Sequence, residues 1–244
     1  MGTPDPGLSE LRHRDLRWNT PLSAAHADRL IDFLDLGEGD RLVDLGCGWG
    51  ALLLRALTRR PGTTGEGLDT DEGQLARARS LADSMGLADR ATFTRADVTK
   101  FSRQAERAIC IGAAHAWGST GPALTALRSH LAPRGRLLFG EGFWTRPPSP
   151  QLRQIFGALP TSLAALVDEA LKAGLRPVHA DVASEAEWDE FEWTALRALE
   201  EFAARNPADP RAGAAREEAE RRRREYLHGY RGVLGFGYLV LANP

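Results

Sequence analysis

The fold is decided by the stretch Leu42-Val43-Asp44-Leu45-Gly46-Cys47-Gly48-Trp49-Gly50. A short, mostly apolar strand pattern leads into a turn that holds three glycines, and a helical pattern follows over residues 51–60. Glycine permits positive φ and lets the backbone approach a ligand without a Cβ in the way. In such a strand–turn–helix unit, a ligand lies over the helix N-terminus at the carboxyl edge of the sheet.

The same alternation continues along the chain. Apolar runs predict strands at 41–45, 64–69, 91–96, 108–112 and 136–140. Helical spacing predicts helices over 22–36, 51–60, 71–86 and 121–131, with a turn at 133–135 before the fifth strand. Asp71 and Gln74 resemble a capping box. Strands that are apolar throughout and alternate with helices favour a parallel sheet covered on both faces.

The two ends of the chain have a different character. Residues 1–20 read as a loose arm, and residues 143–150 read as an aromatic, proline-rich connector. After the connector the pattern predicts three helices, at 161–173, 185–205 and 212–230. It also predicts two strands, at 176–182 and 234–241. This second half therefore adds mainly helices to the alternating first half.

Composition excludes several classes of protein. Of the 244 residues, 43% are apolar and 26% charged, which is typical of a globular protein. The net charge of 31 − 33 = −2 argues against a nucleic-acid coat or a binder of anionic membranes. No apolar run approaches the roughly 18 residues of a membrane span. The two cysteines, Cys47 and Cys110, fit a reduced cytoplasmic protein, and no metal-ligand spacing is present.

One helix carries a run of charges, Glu217 to Arg224, that could be taken for a basic patch. The spacing i,i+4 predicts that its charges pair with one another. The predicted pairs are Glu217–Arg221, Glu218–Arg222 and Glu220–Arg224. A solvated helix face is therefore favoured over a nucleic-acid surface.

Two aspartates sharpen the interpretation of the glycine loop. Asp44 precedes the first glycine by two residues, where a carboxylate would repel a pyrophosphate but suits an ammonium group or an ordered water. Asp69 ends the next predicted strand, 23 residues after Gly46. There its carboxylate can accept hydrogen bonds from both hydroxyls of an adenosine ribose.

Four segments in order carry a family resemblance: 43–50, 67–78, 93–98 and 131–138. Over residues 20–142 the chain resembles the class I S-adenosylmethionine (SAM) dependent methyltransferases. The resemblance implies an α/β, Rossmann-like, doubly wound sheet of seven mostly parallel strands in the order 3-2-1-4-5-7-6, with the last strand antiparallel. The segments Gly140 to Trp144 and Ser184 to Trp188 resemble a narrower bacterial subgroup with Gly-Glu-x-x-Trp after the fifth strand.

The resemblance implies a set of residues that bind the cofactor SAM. The loop residues Asp44, Gly46, Gly48 and Gly50 would hold its methionine end, which Ile111 and Gly112 would also line. Asp69 would bind the ribose hydroxyls, with Thr70 and Gln74 nearby, and Asp97 and Val98 would bind the adenine. No metal is required.

Candidate catalytic residues follow the fourth and fifth strands. His115 is a candidate base because imidazole titrates near neutral pH, and the alternative is a structural histidine bonded to a backbone carbonyl. Glu141 could orient an acceptor amine or the histidine, or instead pair with Arg146. Trp18, Trp117 and Trp144 are the aromatic residues expected to contact the substrate.

We therefore predict one methyltransferase domain over residues 1–244, with an N-terminal arm or lid at 1–22 and acceptor-side insertions at 142–160 and 184–230. The predicted reaction is methyl transfer to an oxygen or nitrogen of a small molecule by a cytoplasmic monomer or homodimer. Three alternatives remain at this point: an RNA or protein methyltransferase with the same donor site, a non-catalytic SAM-binding protein, and an NAD-dependent oxidoreductase. The oxidoreductase gives no reason for Asp44 or Asp97.

Overall fold

A computed structural model describes residues 6–244 and shows a seven-stranded sheet in the order β3-β2-β1-β4-β5-β7-β6. β7 pairs antiparallel with both of its neighbours, and the other observed pairings are parallel. The predicted strand order is confirmed. The strands are β1 (Arg41–Leu45), β2 (Thr64–Asp69), β3 (Ala91–Arg95), β4 (Ala105–Ile111), β5 (Leu131–Trp144), β6 (Arg176–Val182) and β7 (Leu234–Ala242).

Helices cover both faces of the sheet because successive strand residues point to opposite sides. Leu42 packs against α2, α3 and α4, whereas Val43 packs on the opposite face, among residues of α5 and α7. The helices are α1 (Pro6–His13), α2 (Ala24–Leu34), α3 (Ala51–Arg59), α4 (Glu72–Ser84), α5 (Thr120–Ser129), α6 (Pro150–Phe156), α7 (Leu163–Lys172), α8 (Glu185–Arg205) and α9 (Ala212–Glu225). The covered parallel sheet predicted from the apolar strands is thus confirmed.

Several element predictions were wrong in detail. The arm predicted as loose forms helix α1 from residue 6, while its residues 1–5 lie outside the described part of the chain. Helix α6 begins where the predicted connector ends, with Ser149 as its N-cap. The turn predicted at 133–135 is an irregularity inside β5, where Arg134 has φ of 62° and the register with β4 shifts.

The charged run on α9 is a set of ion pairs, but only one of the three predicted pairs forms. Arg224 pairs with Glu220 as expected. Arg221 instead contacts Glu218 and Glu225, one helical turn away on either side. Arg222 pairs with Glu192 of α8, with 2.7 Å between Nε and Oε2. Helix-to-helix packing overrides the local i,i+4 pattern here, because Glu192 is 1% exposed and needs a partner.

Helix α1 docks on the α8–α9 pair. Leu8 and Leu11 of α1 pack against an apolar cluster formed by both helices, which includes Leu199 and Phe202. No helix within residues 6–244 is long and apolar enough to cross a membrane.

Candidate active site

A cavity of about 400 Å³, here called the edge cavity, lies at the carboxyl edge of the sheet. Parallel strands bring their carboxyl ends together at this edge, so residues distant in sequence meet there. Of the predicted cofactor residues, all but Gly50 line it, and so do Trp18 and His115. The cofactor residues that line it are Asp44, Gly46, Gly48, Asp69, Thr70, Gln74, Asp97, Val98, Ile111 and Gly112.

The glycines of the β1–α3 loop have different physical roles. Gly48 has φ of 53°, and a Cβ built on it would meet no atom within 4 Å. Gly50 has φ of 66°, and its Cβ would come within 2.3 Å of Phe93. Gly48 therefore leaves open space beside the cavity, while Gly50 allows the start of α3 to pack against β3.

Asp69 at the end of β2 fixes the glycine loop. One carboxylate oxygen accepts a hydrogen bond from the Gly48 backbone N–H at 2.8 Å, and the other accepts from the Asp71 N–H at 3.0 Å. Each oxygen keeps a further lone pair for a ligand. Asp69 thus connects the loop after β1 to the start of α4.

The predicted capping box at Asp71 forms only in part. Asp71 accepts from the N–H groups of Gly73 and Gln74, but its own N–H donates to Asp69 instead of to Gln74. The Gln74 side chain is therefore released from capping. Its Oε1 is buried and has no hydrogen-bond partner within residues 6–244, although the residue lines the edge cavity.

Asp44 is a buried carboxyl group with only 4% of its surface exposed. Burial, and secondly the charge of Asp69, raise the pKa of Asp44 to about 8. The group is thus mostly neutral at pH 7 when the cavity holds no cation. A cation beside it would favour the charged form.

Asp97 lines the edge cavity from the loop just after β3. Its Oδ1 accepts hydrogen bonds from the backbone N–H of Thr99 at 3.0 Å and from the Thr99 hydroxyl at 2.6 Å. These bonds lower the pKa of Asp97, so the group is a charged acceptor at neutral pH.

Four predicted site residues do not line the edge cavity: Gly50, Trp117, Glu141 and Trp144. Trp144 is buried in a cluster with Tyr226 and Tyr230, and its ring meets Phe156 edge-on. Glu141 accepts a hydrogen bond from the Gly142 N–H at 2.8 Å, and burial raises its pKa to about 7. His115 is exposed at the rim of the cavity, in a short helical turn over Ala114–Trp117.

Sequence reasoning missed residues that the N-terminal segment brings to the cavity. Ser9 and His13 of α1 line it, together with Trp49. The indole of Trp49 donates to the Arg17 carbonyl at 2.7 Å, and Arg77 donates to the His13 carbonyl at 2.9 Å. The i,i+3 spacing of Leu8 and Leu11 was the available signal for a docked helix in this segment.

A second cavity of about 790 Å³, here called the α8 cavity, borders the first. Trp18 and Thr20 line both. Its other walls come from the start of α2, the end of β6 and the first turns of α8. Because these elements are far apart in sequence, no local sequence motif predicts this cavity.

Comparison with known proteins agrees with the geometry. Residues 21–138 match the family model of mycolic acid cyclopropane synthetase. The chain is 28% identical over 241 residues to the uncharacterized protein YjhP of Escherichia coli strain K12, over 96% of both chains. A SAM-dependent methyltransferase from Geobacter sulfurreducens, crystallised with S-adenosyl-L-homocysteine (SAH), superposes with a TM-score of 0.86 at 26% identity, over 97% of this chain and 98% of its own.

A SAM-dependent methyltransferase from Thiobacillus denitrificans, also crystallised with SAH, gives a TM-score of 0.85 at 25% identity, over 98% and 99% of the two chains. A cyclopropane synthase from Mycobacterium tuberculosis, at 22% identity and a TM-score of 0.72, shares the fold. The sheet order, the glycine loop and these likenesses together support a class I SAM-dependent methyltransferase. Its full-length likenesses include the uncharacterized protein YjhP and the two bacterial enzymes just described.

Proposed function

We propose that this protein binds SAM in the edge cavity and transfers its methyl group to an oxygen or nitrogen of a small molecule. One observation supports this most: a single cavity is lined by three aspartates, and the cofactor has three groups of donors for them to accept from. Asp44 would face the ammonium group, Asp69 the ribose hydroxyls and Asp97 the adenine amino group. An NAD-dependent oxidoreductase would place a pyrophosphate over the loop, next to Asp44.

The described residues fit the cofactor. Gly48 leaves space where a Cβ would narrow the cavity. The buried Asp44 carboxyl group gains a charge partner from the cofactor's ammonium, which offsets the cost of its burial. Among residues 6–244, Gln74 Oε1 has no hydrogen-bond partner, and a ligand hydroxyl can supply one. Gly112, Ile111 and Val98 contribute apolar or backbone surface to the cavity.

SAM supplies an electrophilic methyl group on a sulfonium. The residues of this chain must hold the acceptor atom about 3–3.5 Å from that methyl carbon and in line with the sulfur. His115 follows β4, on the side of the cavity assigned to the methionine end, and it would take the proton of a hydroxyl or ammonium acceptor. A positioned base contributes about 10²–10⁴-fold to the rate.

The acceptor would lie in the α8 cavity and reach the cofactor past Trp18. Its volume falls within the range of about 300–1,000 Å³ that small-molecule sites occupy. A buried histidine, His26, holds its walls together: Nδ1 lies 3.0 Å from Glu187 of α8 and Nε2 lies 3.2 Å from Asp181 of β6. The 184–230 insertion would thus serve as the acceptor side of the enzyme, with residues 1–22 as its lid.

The α9 arginines support a small acceptor over RNA. Arg221, Arg222, Arg223 and Arg224 each pair with a glutamate, which neutralises a surface that phosphates would need. A cytoplasmic location and a monomeric or homodimeric state remain predictions of the proposal.

The acceptor class is tested by incubating the purified protein with methyl-labelled SAM and a cell extract. Heating the extract beforehand inactivates its endogenous methyltransferases. Ultrafiltration then separates small molecules from RNA and protein. We expect the label in the small-molecule fraction. Label that is found only in RNA or protein would contradict the small-molecule acceptor while leaving SAM binding intact.

The role of His115 is tested by His115→Ala. If His115 is the base, we expect the variant to lose turnover by about 10²-fold or more at pH 7 and to keep an SAH affinity within about threefold of wild type. Labelled-methyl transfer and calorimetry measure the two quantities. Unchanged turnover would leave His115 as a structural histidine.

A further inference from the structure

His13 at the end of α1 is a buried histidine that the proposed reaction does not use. Its side chain is 8% exposed and lines the edge cavity. Its ring lies 5.7 Å from the ring of Trp49 in the glycine loop, and its backbone carbonyl accepts from Arg77 of α4. The histidine therefore sits where α1 meets both the glycine loop and α4.

The tautomer of His13 follows from its neighbours. Arg12 Nη2 lies 3.3 Å from His13 Nε2. A guanidinium can only donate, so Nε2 must accept. Burial, and then the charges of Arg12, Arg222 and Arg77, lower the pKa of His13 to about 4, whereas the more distant Asp71 opposes them. The ring is neutral at pH 7, and its proton is on Nδ1.

The Nδ1–H group of His13 is a buried donor with no hydrogen-bond partner in the described part of the chain. Leaving a buried polar group without a partner costs free energy, because the group has given up its hydrogen bonds to water. The Oε1 atom of Gln74, which lines the same cavity, is a buried acceptor in the same condition. A donor and an acceptor together complement a hydroxyl group, which can both accept and donate.

Gln74 lines the cavity at the corner between β2 and α4, and the bond from Arg77 to the His13 carbonyl brings the end of α1 against α4. Asp69 ends β2, and Gln74 lies in the first turn of α4. Asp69 is the residue that the proposed function assigns to the ribose. A ribose at this corner would offer two hydroxyls to the carboxylate of Asp69, the amide of Gln74 and the imidazole of His13.

We propose that His13 Nδ1–H donates a hydrogen bond to a ribose hydroxyl of the cofactor, so that α1 forms part of the nucleoside site. The proposal rests on the proposed function, because it needs SAM or SAH in the edge cavity. It makes His13 a binding residue that couples the cofactor to the helices on which α1 docks.

The test compares two substitutions in the full chain by calorimetric titration with SAH. His13→Phe keeps an aromatic ring against Trp49 but has no donor, whereas His13→Asn places an amide N–H near the position of Nδ1. We expect His13→Phe to weaken SAH binding about tenfold, as the loss of one hydrogen bond allows, and His13→Asn to stay within about threefold of wild type. Thermal unfolding of both variants checks that the fold is kept.

Titration with 2′-deoxy-SAH and 3′-deoxy-SAH identifies the contact. We expect the difference between wild type and His13→Phe to disappear for one of the two compounds, because the hydroxyl that accepts the bond is gone. Equal SAH affinity of wild type and His13→Phe, an equally weak His13→Asn, or a loss that persists with both deoxy compounds would each overturn the proposal. A wild-type protein that fails to bind SAH would contradict the proposed function itself.

Discussion

At the scale of single residues, two glycines of the same loop have different roles, one in packing and one beside the cavity. Gly50 is required because Phe93 occupies the space of a side chain, whereas Gly48 faces open space beside the cavity. Both have positive φ, so substitution by alanine carries a similar backbone cost of about 1 kcal/mol at either position. The difference between the two variants therefore isolates packing from ligand contact.

Gly50→Ala is expected to lower the free energy of unfolding by about 1–3 kcal/mol more than Gly48→Ala, because overpacking against Phe93 adds to the backbone cost. Gly48→Ala is expected to stay folded and to lose SAH affinity, since its Cβ narrows the cavity. Urea unfolding and calorimetry measure the two effects. Equal stability of the two variants would contradict the assigned roles.

Asp44 predicts a pH dependence of stability. Its pKa is about 8 in the folded protein and about 4 in an unfolded chain, so the folded state binds the proton more tightly. The stabilising effect of the neutral carboxyl is fully present below about pH 4 and is lost as pH rises towards 8. Wild type should therefore lose stability relative to Asp44→Asn between pH 5 and pH 8, as measured by urea unfolding. A constant difference across this range would contradict the buried, protonated state of Asp44.

At the scale of elements, local pattern predicted most strands and helices better than it predicted α1. β1, β2 and β6 have the bounds expected from their apolar runs, and α8 begins one residue after Ser184, which caps it as part of a capping box. Helix α1 was missed because the i,i+3 spacing of Leu8 and Leu11 is a weak signal by itself, and the helix depends for its stability on the apolar surface of α8 and α9, which lies far away in the sequence.

The pairing of α8 with α9 gives a prediction at this scale. Arg222 and Glu192 form a buried ion pair, so Arg222→Leu removes the paired cation of a buried carboxyl group and should cost about 3–5 kcal/mol of unfolding free energy. Arg223 forms an exposed pair with Glu200, and Arg223→Leu should cost less than about 1 kcal/mol. Urea unfolding compares the two variants. Similar losses would show that the α8–α9 contact does not depend on this buried pair.

At the scale of the whole molecule, the residues of the edge cavity could be predicted from the sequence, whereas those of the α8 cavity could not. The residues that line the edge cavity follow strand ends, where chain order fixes their neighbours, so Asp44, Asp69 and Asp97 could be placed together in advance. The α8 cavity depends on how α2, β6 and α8 pack, which is a tertiary property. Trp144 illustrates the difference, because its ring packs within the added helices and away from both cavities.

The central claim is that the edge cavity binds SAM through Asp69, and calorimetric titration tests it most directly. Wild type should bind SAH with micromolar affinity and should not bind NADH. Asp69→Asn, which keeps one acceptor for the loop, should weaken SAH binding about tenfold or more, whereas Asp168→Asn on the exposed face of α7 should not. Binding of NADH, or SAH affinity that Asp69→Asn leaves unchanged, would contradict the account.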